Sequence, residues 1–202
     1  MSRYGACMEA AARWNDRYAQ GFTPFPDAPA TWLVEHDELL GGGGGRALDV
    51  ACGDGRNALY LARRGYEVDA IDVSDVAVEA LRGAARERGL PITPCVVDLE
   101  REPLPAGPYD VIVTMNFLQR DLFGPLQDAL APGGLLIYET LGRAHVDELG
   151  RSFNPAYLLE EGELLRALDR LEVLDHFDGV AQRPGGARGV GSIVARRPAR
   201  EG

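Results

Sequence analysis

A glycine turn between an apolar strand and an amphipathic helix is the feature that most constrains this chain. Residues 47–51 (ALDVA) are predicted to form a strand that carries one acid, Asp49. Gly53 and Gly55 then form a tight turn, after which apolar side chains recur at helical spacing. Glycine lets the backbone approach a ligand closely, and a helix N-terminus presents free N–H groups. This order predicts the nucleotide site of an open α/β sheet.

Acids at the ends of the next two predicted strands indicate which parts of a nucleotide this site would bind. Asp72 directly follows the strand 66–71, and Asp98 directly follows the strand 92–97. The carboxyl ends of such strands line the ligand crevice. Asp72 is placed to accept from both hydroxyls of a ribose, and Asp98 from an adenine amino group. Acids that flank apolar strands are costly without partners, so Asp49, Asp72 and Asp98 favour a ligand site.

The same glycine turn is also compatible with an enzyme that binds a dinucleotide. Gly53, Gly55 and Ala58 match the dinucleotide pattern Gly-x-Gly-x-x-Gly/Ala, so an NAD-dependent oxidoreductase is one alternative. Asp98 argues against it, because a dinucleotide has less need of that contact. The predicted reversal of the last strand also argues against it, since an ordinary dinucleotide fold usually lacks one.

Five segments together resemble the class I S-adenosylmethionine-dependent methyltransferases. In the family's order and spacing they are 48–55 (LDVACGDG), 70–74 (AIDVS), 97–99 (VDL), 109–113 (YDVIV) and 130–136 (LAPGGLL). Ala51 departs from the pattern, since the family more often has glycine there. The resemblance implies an α/β, Rossmann-like three-layer sandwich. Its twisted, mostly parallel seven-stranded sheet would have an antiparallel last strand.

The resemblance also implies a cofactor and a set of contacts for it. The cofactor would be S-adenosyl-L-methionine, with S-adenosyl-L-homocysteine as product, and the backbone carbonyl of Ala51 would meet the methionine amino group. The predicted contacts lie at the glycine turn and the strand ends: Asp49, Ala51, Cys52, Gly53, Gly55, Asn57, Asp72, Val73, Asp98, Leu99, Met115, Asn116 and Phe117.

The N-terminal segment resembles the lid of small tellurite-resistance and thiopurine-type methyltransferases. That group has a Trp followed by Arg-Tyr, found here as Trp14, Arg17 and Tyr18 on a predicted helix. By this resemblance these side chains close over the cofactor. An equally weighted alternative is that Trp14 and Tyr18, four residues apart, simply pack on the sheet.

The chain is predicted to be one structural domain with two parts. Residues 1–45 would be a helical lid and a glycine-rich connector, and residues 46–202 the S-adenosylmethionine-binding methyltransferase domain. Further predicted elements are helices over 30–40, 75–88, 121–130 and 163–169, a strand over 135–138, and a hairpin of 171–177 with 191–196. Ser74 is the expected N-cap of the helix 75–88, and Gly89 its stop.

Polar side chains near the ends of the fourth and fifth strands are candidates for contact with the methyl acceptor: Asn116, Arg120, Glu139 and His145. Transfer from a sulfonium is an in-line displacement, so positioning supplies much of the rate. A soft nucleophile needs no base, whereas an alcohol or amine benefits from one. The alternatives are purely structural roles. Arg120 would form an ion pair with Asp121 or Glu139, Glu139 would cap a loop, and His145 would be solvated.

Composition limits the partners. The net charge is −10, so the chain lacks the basic character of a nucleic-acid-binding protein. The sequence contains no lysine, and its only strongly basic residues are arginines. Without lysine there is no phosphate-loop motif. Three cysteines and three scattered histidines form no metal pattern. No segment resembles a signal peptide or a membrane span.

We therefore predict a cytoplasmic, monomeric or homodimeric methyltransferase for a small-molecule acceptor. A non-catalytic module that binds S-adenosylmethionine but has lost the acceptor site is the remaining alternative, because it would keep the same cofactor residues.

Overall fold

The computed structural model describes residues 3–21 and 28–199, and side chains from residue 10 onward. Its strands are β1 (Arg46–Val50), β2 (Glu67–Asp72), β3 (Ile92–Val96), β4 (Tyr109–Met115), β5 (Leu130–Leu141), β6 (Glu172–Arg183) and β7 (Gly186–Arg196). Its helices are α1 (Arg3–Ala19), α2 (Thr31–Glu35), α3 (Arg56–Arg63), α4 (Asp75–Arg88), α5 (Phe123–Ala129), α6 (Ala144–Asp147) and α7 (Glu163–Ala167).

The strands form a seven-stranded sheet in the order β3-β2-β1-β4-β5-β7-β6. The first five strands pair in parallel, and β7 runs antiparallel between β5 and β6. Strand order reverses direction at β1 and β4, and such a switch point opens the ligand crevice of an α/β sheet. The predicted Rossmann-like fold with a reversed last strand is confirmed.

Alternation along β1 shows how the sheet separates two apolar layers. Ala47 belongs to the core cluster that includes Trp32 and Leu61, whereas Leu48 and Val50 belong to the cluster on the opposite face. Successive side chains of a strand point to opposite faces, so both faces of β1 are buried. The first layer is covered by α2 and α3, and the second by α5 and α7. The predicted three-layer arrangement follows directly.

Helix α4 begins and ends where the sequence predicts. The Ser74 hydroxyl oxygen accepts from the Ala77 N–H over 3.2 Å, and Gly89 closes the helix with φ of 60°. The side-chain oxygen satisfies one free N–H of the first turn, and glycine adopts the left-handed conformation without strain.

Several predicted boundaries are wrong. The fifth strand spans Leu130–Leu141 rather than 135–138, because Gly133 and Gly134 exchange backbone hydrogen bonds with Arg197. The hairpin strands are also longer than predicted, with a tight turn at Pro184 and Gly185. The predicted helix 30–40 divides into α2 and a 3₁₀ turn at Asp37–Leu40, because the His36 ring bonds the Trp32 carbonyl at the junction.

Two shorter helices also differ from prediction. The segment 121–130 starts as a 3₁₀ turn at Arg120–Leu122 and continues as α5, and the last helix ends at Ala167 rather than at residue 169. The short helix α6 was not predicted. Among the described helices, none has the length and apolar character needed to cross a membrane.

Candidate functional site

The crevice opens where β1 and β4 end, and both strand ends have strained backbone. Ala51 follows β1 with φ of 55°, and Asn116 follows β4 with φ of 58°. Outside glycine, this left-handed region costs on the order of 1 kcal/mol or more, and such strain clusters at functional sites. Glycine would adopt the Ala51 conformation freely, which explains why glycine suits this position in the family pattern.

Two of the predicted acids hold the glycine turn. Asp49 Oδ2, fully buried, accepts from the Ala58 N–H over 2.9 Å. Asp72 Oδ2 accepts from the Gly53 N–H over 2.8 Å, and its Oδ1 accepts from the Ser74 N–H over 2.9 Å. These bonds join β1, the turn and the end of β2 into one unit that holds both carboxylates in fixed orientations.

Burial and mutual repulsion shift the acids toward their protonated forms. Burial raises the pKa of Asp49 to about 7, and the carboxylates of Asp72 and Asp54 add to this rise. Burial also raises the pKa of Asp72, with Asp54 again contributing. A cationic ligand placed among these groups would favour their charged forms. The same burial raises the pKa of the Cys52 thiol, which keeps it protonated and poorly nucleophilic.

Two other predicted contacts, Gly55 and Asn57, have packing roles. A Cβ at Gly55 would lie 2.2 Å from a Leu81 methyl carbon, so glycine lets α4 approach the turn. Asn57 Oδ1 accepts from the Ala30 N–H over 2.9 Å and fixes the start of α2 against α3. Val73 is half-buried and Met115 is buried at the end of β4.

Helix α1 lies over the glycine turn. A Cβ at Gly53 would come within 2.5 Å of the Tyr18 hydroxyl oxygen, and the Ser74 hydroxyl donates to Asn15 Oδ1 over 2.7 Å. The Trp14 and Tyr18 rings are 6.1 Å apart, and the Arg17 guanidinium lies 5.1 Å from the Trp14 ring centroid. Sequence reasoning missed Asn15, although it shares the half-buried face of α1.

The third acid lies beside an apolar surface at the end of β3. Asp98 Oδ1 accepts from the Glu100 N–H over 3.1 Å, and Oδ2 lies 3.4 Å from Arg101 Nε. Leu99 and Phe117 pack against the same core cluster. An apolar wall with a carboxylate at its rim is suited to an aromatic base that carries an amino group.

At Asn116 lies a small concave pocket built by five separate parts of the chain. We call it the arginine pocket; its polar lining consists of Thr31, Arg56, Asn116, Glu139, Arg183 and Arg188. Sequence reasoning identified Asn116 and Glu139 but missed the three arginines. Arg56 follows the glycine turn directly, and this position was the available signal for it. Arg183 and Arg188 flank the hairpin turn and gave no such signal.

Glu139 is held by an ion pair inside this pocket. Arg183 donates to it from Nε over 3.1 Å and from Nη2 over 2.6 Å, and the Ser192 hydroxyl donates to Oε2 over 2.9 Å. The Glu139 backbone carbonyl also accepts from the Asn116 N–H over 2.8 Å. These bonds orient the carboxylate and connect the ends of β4 and β5.

Arg120 and His145 lie outside the pocket lining. Arg120 pairs with Glu163 over 2.6 Å and donates to the carbonyls of Ala156 and Leu158, rather than pairing with Asp121 or Glu139. It therefore ties a loop to α7.

The expectation of a solvated His145 is wrong, because its side chain is buried. His145 Nδ1 accepts from the Gly189 N–H over 3.3 Å. Burial and the charges of Arg151 and Arg188 lower its pKa, so the ring is neutral near pH 7.

The comparisons with known proteins agree with this geometry. Residues 47–134 match the family model described as a methyltransferase domain. The ubiquinone biosynthesis O-methyltransferase of Marinobacter nauticus is 30% identical over 141 residues, covering 66% of this chain and 59% of that protein. The chain thus spans less than two thirds of that relative's length.

Two solved structures share the fold. TehB from Haemophilus influenzae superposes with a TM-score of 0.74 at 20% identity, covering 91% of this chain and 67% of TehB. A TehB-like SAM-dependent methyltransferase from Corynebacterium glutamicum superposes with a TM-score of 0.59 at 18% identity, covering 96% and 100%. Residues 47–134 therefore match a methyltransferase domain, and the solved structures share the fold that the glycine turn and the strand-end acids predict.

Proposed function

We propose that this chain binds S-adenosylmethionine in the crevice between β1 and β4 and transfers its methyl group to a small-molecule acceptor. One observation carries the proposal: Asp49, Asp72 and Asp98 stand at or just beyond the ends of three adjacent parallel strands around one glycine turn. The matched family model and the relatives support it. The reversed strand β7 and Asp98 favour it over an NAD-dependent oxidoreductase.

The residues present fit this cofactor. Each Asp72 oxygen accepts one backbone N–H and retains acceptor capacity, which suits two ribose hydroxyls. Asp98 and the apolar wall of Leu99 and Phe117 suit an adenine ring. The Ala51 carbonyl and the acids behind it suit a methionine ammonium group. Bound there, the cofactor supplies an electrophilic methyl group on a sulfonium.

The contribution of this chain to the reaction is chiefly orientation. Glu139 accepts four hydrogen bonds from Arg183 and Ser192, which disfavours it as a proton acceptor. The rigid turn fixes the donor, and the pocket beside Asn116 fixes the acceptor for in-line attack. We infer that the attacking group ionises readily, as a thiol or an acidic phenol does.

The N-terminal part of the chain is proposed to be a lid. Tyr18 and Asn15 bring α1 onto the turn and onto the start of α4. We therefore retain the division into a lid and connector over 1–45 and a catalytic part over 46–202. Bound cofactor would then be shielded from water by α1.

We also propose a cytoplasmic setting and a monomer or homodimer. Among the described cysteine side chains, Cys52 is buried and free and Cys95 is exposed and free. A free exposed thiol suits a reducing compartment.

Calorimetric titration with S-adenosylhomocysteine and with NAD, in parallel, tests the cofactor. We expect S-adenosylhomocysteine to bind and NAD to give no heat. Binding of NAD alone would refute the proposed methyltransferase function and favour an NAD-dependent oxidoreductase. Heat from neither ligand would contradict both.

A further inference from the structure

We propose that the arginine pocket recognises an anionic group, so that the acceptor is a small organic acid. The inference rests on the proposed function, which makes this pocket the acceptor site. It goes further by giving the chemical class of the substrate and by assigning Arg56 and Arg188 to its recognition.

The pocket has an excess of positive charge in a chain that is strongly acidic. Three guanidinium groups and one carboxylate line it, whereas the whole chain has a net charge of −10. Glu139 is bonded to Arg183 through both Nε and Nη2. Its charge therefore offsets mainly that arginine. A concave surface lined by three guanidinium groups favours carboxylates, since guanidinium matches their geometry.

The groups that surround the two other arginines differ. Arg56 faces the acids Asp49 and Asp54 on the cofactor side, and Glu139 and Arg188 on the pocket side. Arg188 faces Glu139 together with two further cations, Arg151 and Arg183. Because two of the three charged groups that act on Arg188 are cations, we expect Arg188 to contribute more to the binding of an acid.

Both arginines have lost part of their hydration. Burial is the main cause that lowers the pKa of Arg56 and of Arg188. Repulsion from Arg188 adds to the shift of Arg56, and repulsion from Arg151 and Arg183 adds to that of Arg188. Both remain charged at neutral pH. A carboxylate that enters the pocket would offset the repulsion among these cations, so its binding is favoured beyond the interaction of a surface ion pair.

The backbone holds Arg188 in place before any ligand arrives. Its neighbour Gly189 donates to His145 Nδ1 and accepts from the Gly142 N–H over 3.1 Å. A Cβ at Gly189 would lie 1.8 Å from the His145 backbone nitrogen, so the hairpin packs directly on α6. On the other side, Arg56 Nη1 donates to the Ala28 carbonyl over 3.3 Å. Preorganised groups lose less entropy on binding.

The test compares neutral and anionic members of matched pairs by calorimetry: 4-mercaptobenzoate with 4-mercaptobenzamide, and 4-hydroxybenzoate with 4-hydroxybenzamide. The protein is titrated with and without saturating S-adenosylhomocysteine. We expect each acid to bind at least about tenfold more tightly than its amide, the difference that one charge-assisted interaction supplies. Arg188→Gln should remove this preference, Arg188→Lys should keep most of it, and Arg86→Gln, at an exposed position on α4, should leave it unchanged.

Equal binding of acid and amide, failure of both acids to bind, or an undiminished preference in Arg188→Gln would overturn the inference. Thermal unfolding of each variant separates loss of recognition from loss of fold. If the unaltered protein does not bind S-adenosylhomocysteine, the proposed function is refuted instead. The preference for acids is still measured in the titrations that contain no S-adenosylhomocysteine.

Discussion

Arg183 and Glu139 form a bidentate ion pair that is almost completely shielded from solvent. Their side chains are 9% and 10% exposed, and their closest atoms are 2.6 Å apart. The pair joins the hairpin of β6 and β7 to the end of β5, beside the strained Asn116. It therefore connects the wall of the arginine pocket to the end of β4 at the crevice.

Breaking this pair on one side should be more harmful than removing both charges. Arg183→Gln leaves a buried carboxylate unpaired, and we expect a loss of about 3 kcal/mol in the free energy of unfolding. The double variant Arg183→Gln with Glu139→Gln should lose less than Arg183→Gln alone, and therefore less than the sum of the single variants. Urea unfolding of all four proteins measures this coupling, and additive losses would show that the pair is not a unit.

Asp72 should control cofactor affinity. Asp72→Ala removes the acceptor for two ribose hydroxyls, so S-adenosylhomocysteine should bind at least about tenfold more weakly. Asp75→Ala, an exposed acid three residues further along, should bind normally. Calorimetry at one pH gives both dissociation constants. Unchanged affinity in Asp72→Ala would refute the ribose assignment.

Asp49 should make the ligand-free protein less stable as the pH rises. Its pKa is raised to about 7 in the folded chain, compared with 3.8 in a model peptide. The folded state therefore keeps a proton that the unfolded state loses, and this contribution to stability disappears as the pH rises through 7. Relative to Asp49→Asn, the unaltered protein should lose about 2–3 kcal/mol between pH 5 and pH 8.

Urea unfolding of both proteins at pH 5 and pH 8 measures this difference. The amide variant retains an oxygen acceptor for the Ala58 N–H, so it is the matched comparison for the titrating carboxyl group. Parallel pH dependences of the two proteins would show that Asp49 does not titrate in this range.

The contact between α1 and α4 should slow cofactor release. Asn15→Ala removes the acceptor of the Ser74 hydroxyl at a cost of about 1 kcal/mol, so the dissociation rate of S-adenosylhomocysteine should rise about fivefold. Asp16→Ala changes an exposed neighbour on the same helix and should leave the rate unchanged. Stopped-flow release into a chase of competing ligand measures both. Identical rates would argue that α1 is a fixed part of the scaffold.

The local patterns of the sequence were sufficient to predict the sheet and the acids at its edge. The turn after β1 and the caps Ser74 and Gly89 act through neighbours within a few residues, so they are readable from the chain. The predictions were wrong where strand pairing overrides local preference. Gly133 and Gly134, for example, belong to β5 because their backbone groups bond those of Arg197.

The arginine pocket could not be predicted in the same way. Arg56, Arg183 and Arg188 lie far apart in sequence, and only the folded sheet places them around Glu139. His145 illustrates the same limit: its segment is polar, yet the hairpin covers it and makes its ring a hydrogen-bond acceptor for Gly189. Side chains whose partners come from distant elements need the tertiary structure before a role can be assigned.

Formation of S-adenosylhomocysteine from S-adenosylmethionine is the most direct test of the account. The purified protein is incubated with the donor and each acid or amide of the acceptor pairs, and the product is quantified against the donor alone. We predict product formation above that background with 4-mercaptobenzoate, and less with its amide. Binding of S-adenosylmethionine without turnover of any acceptor in the panel would contradict the proposed transfer and favour a non-catalytic binding module.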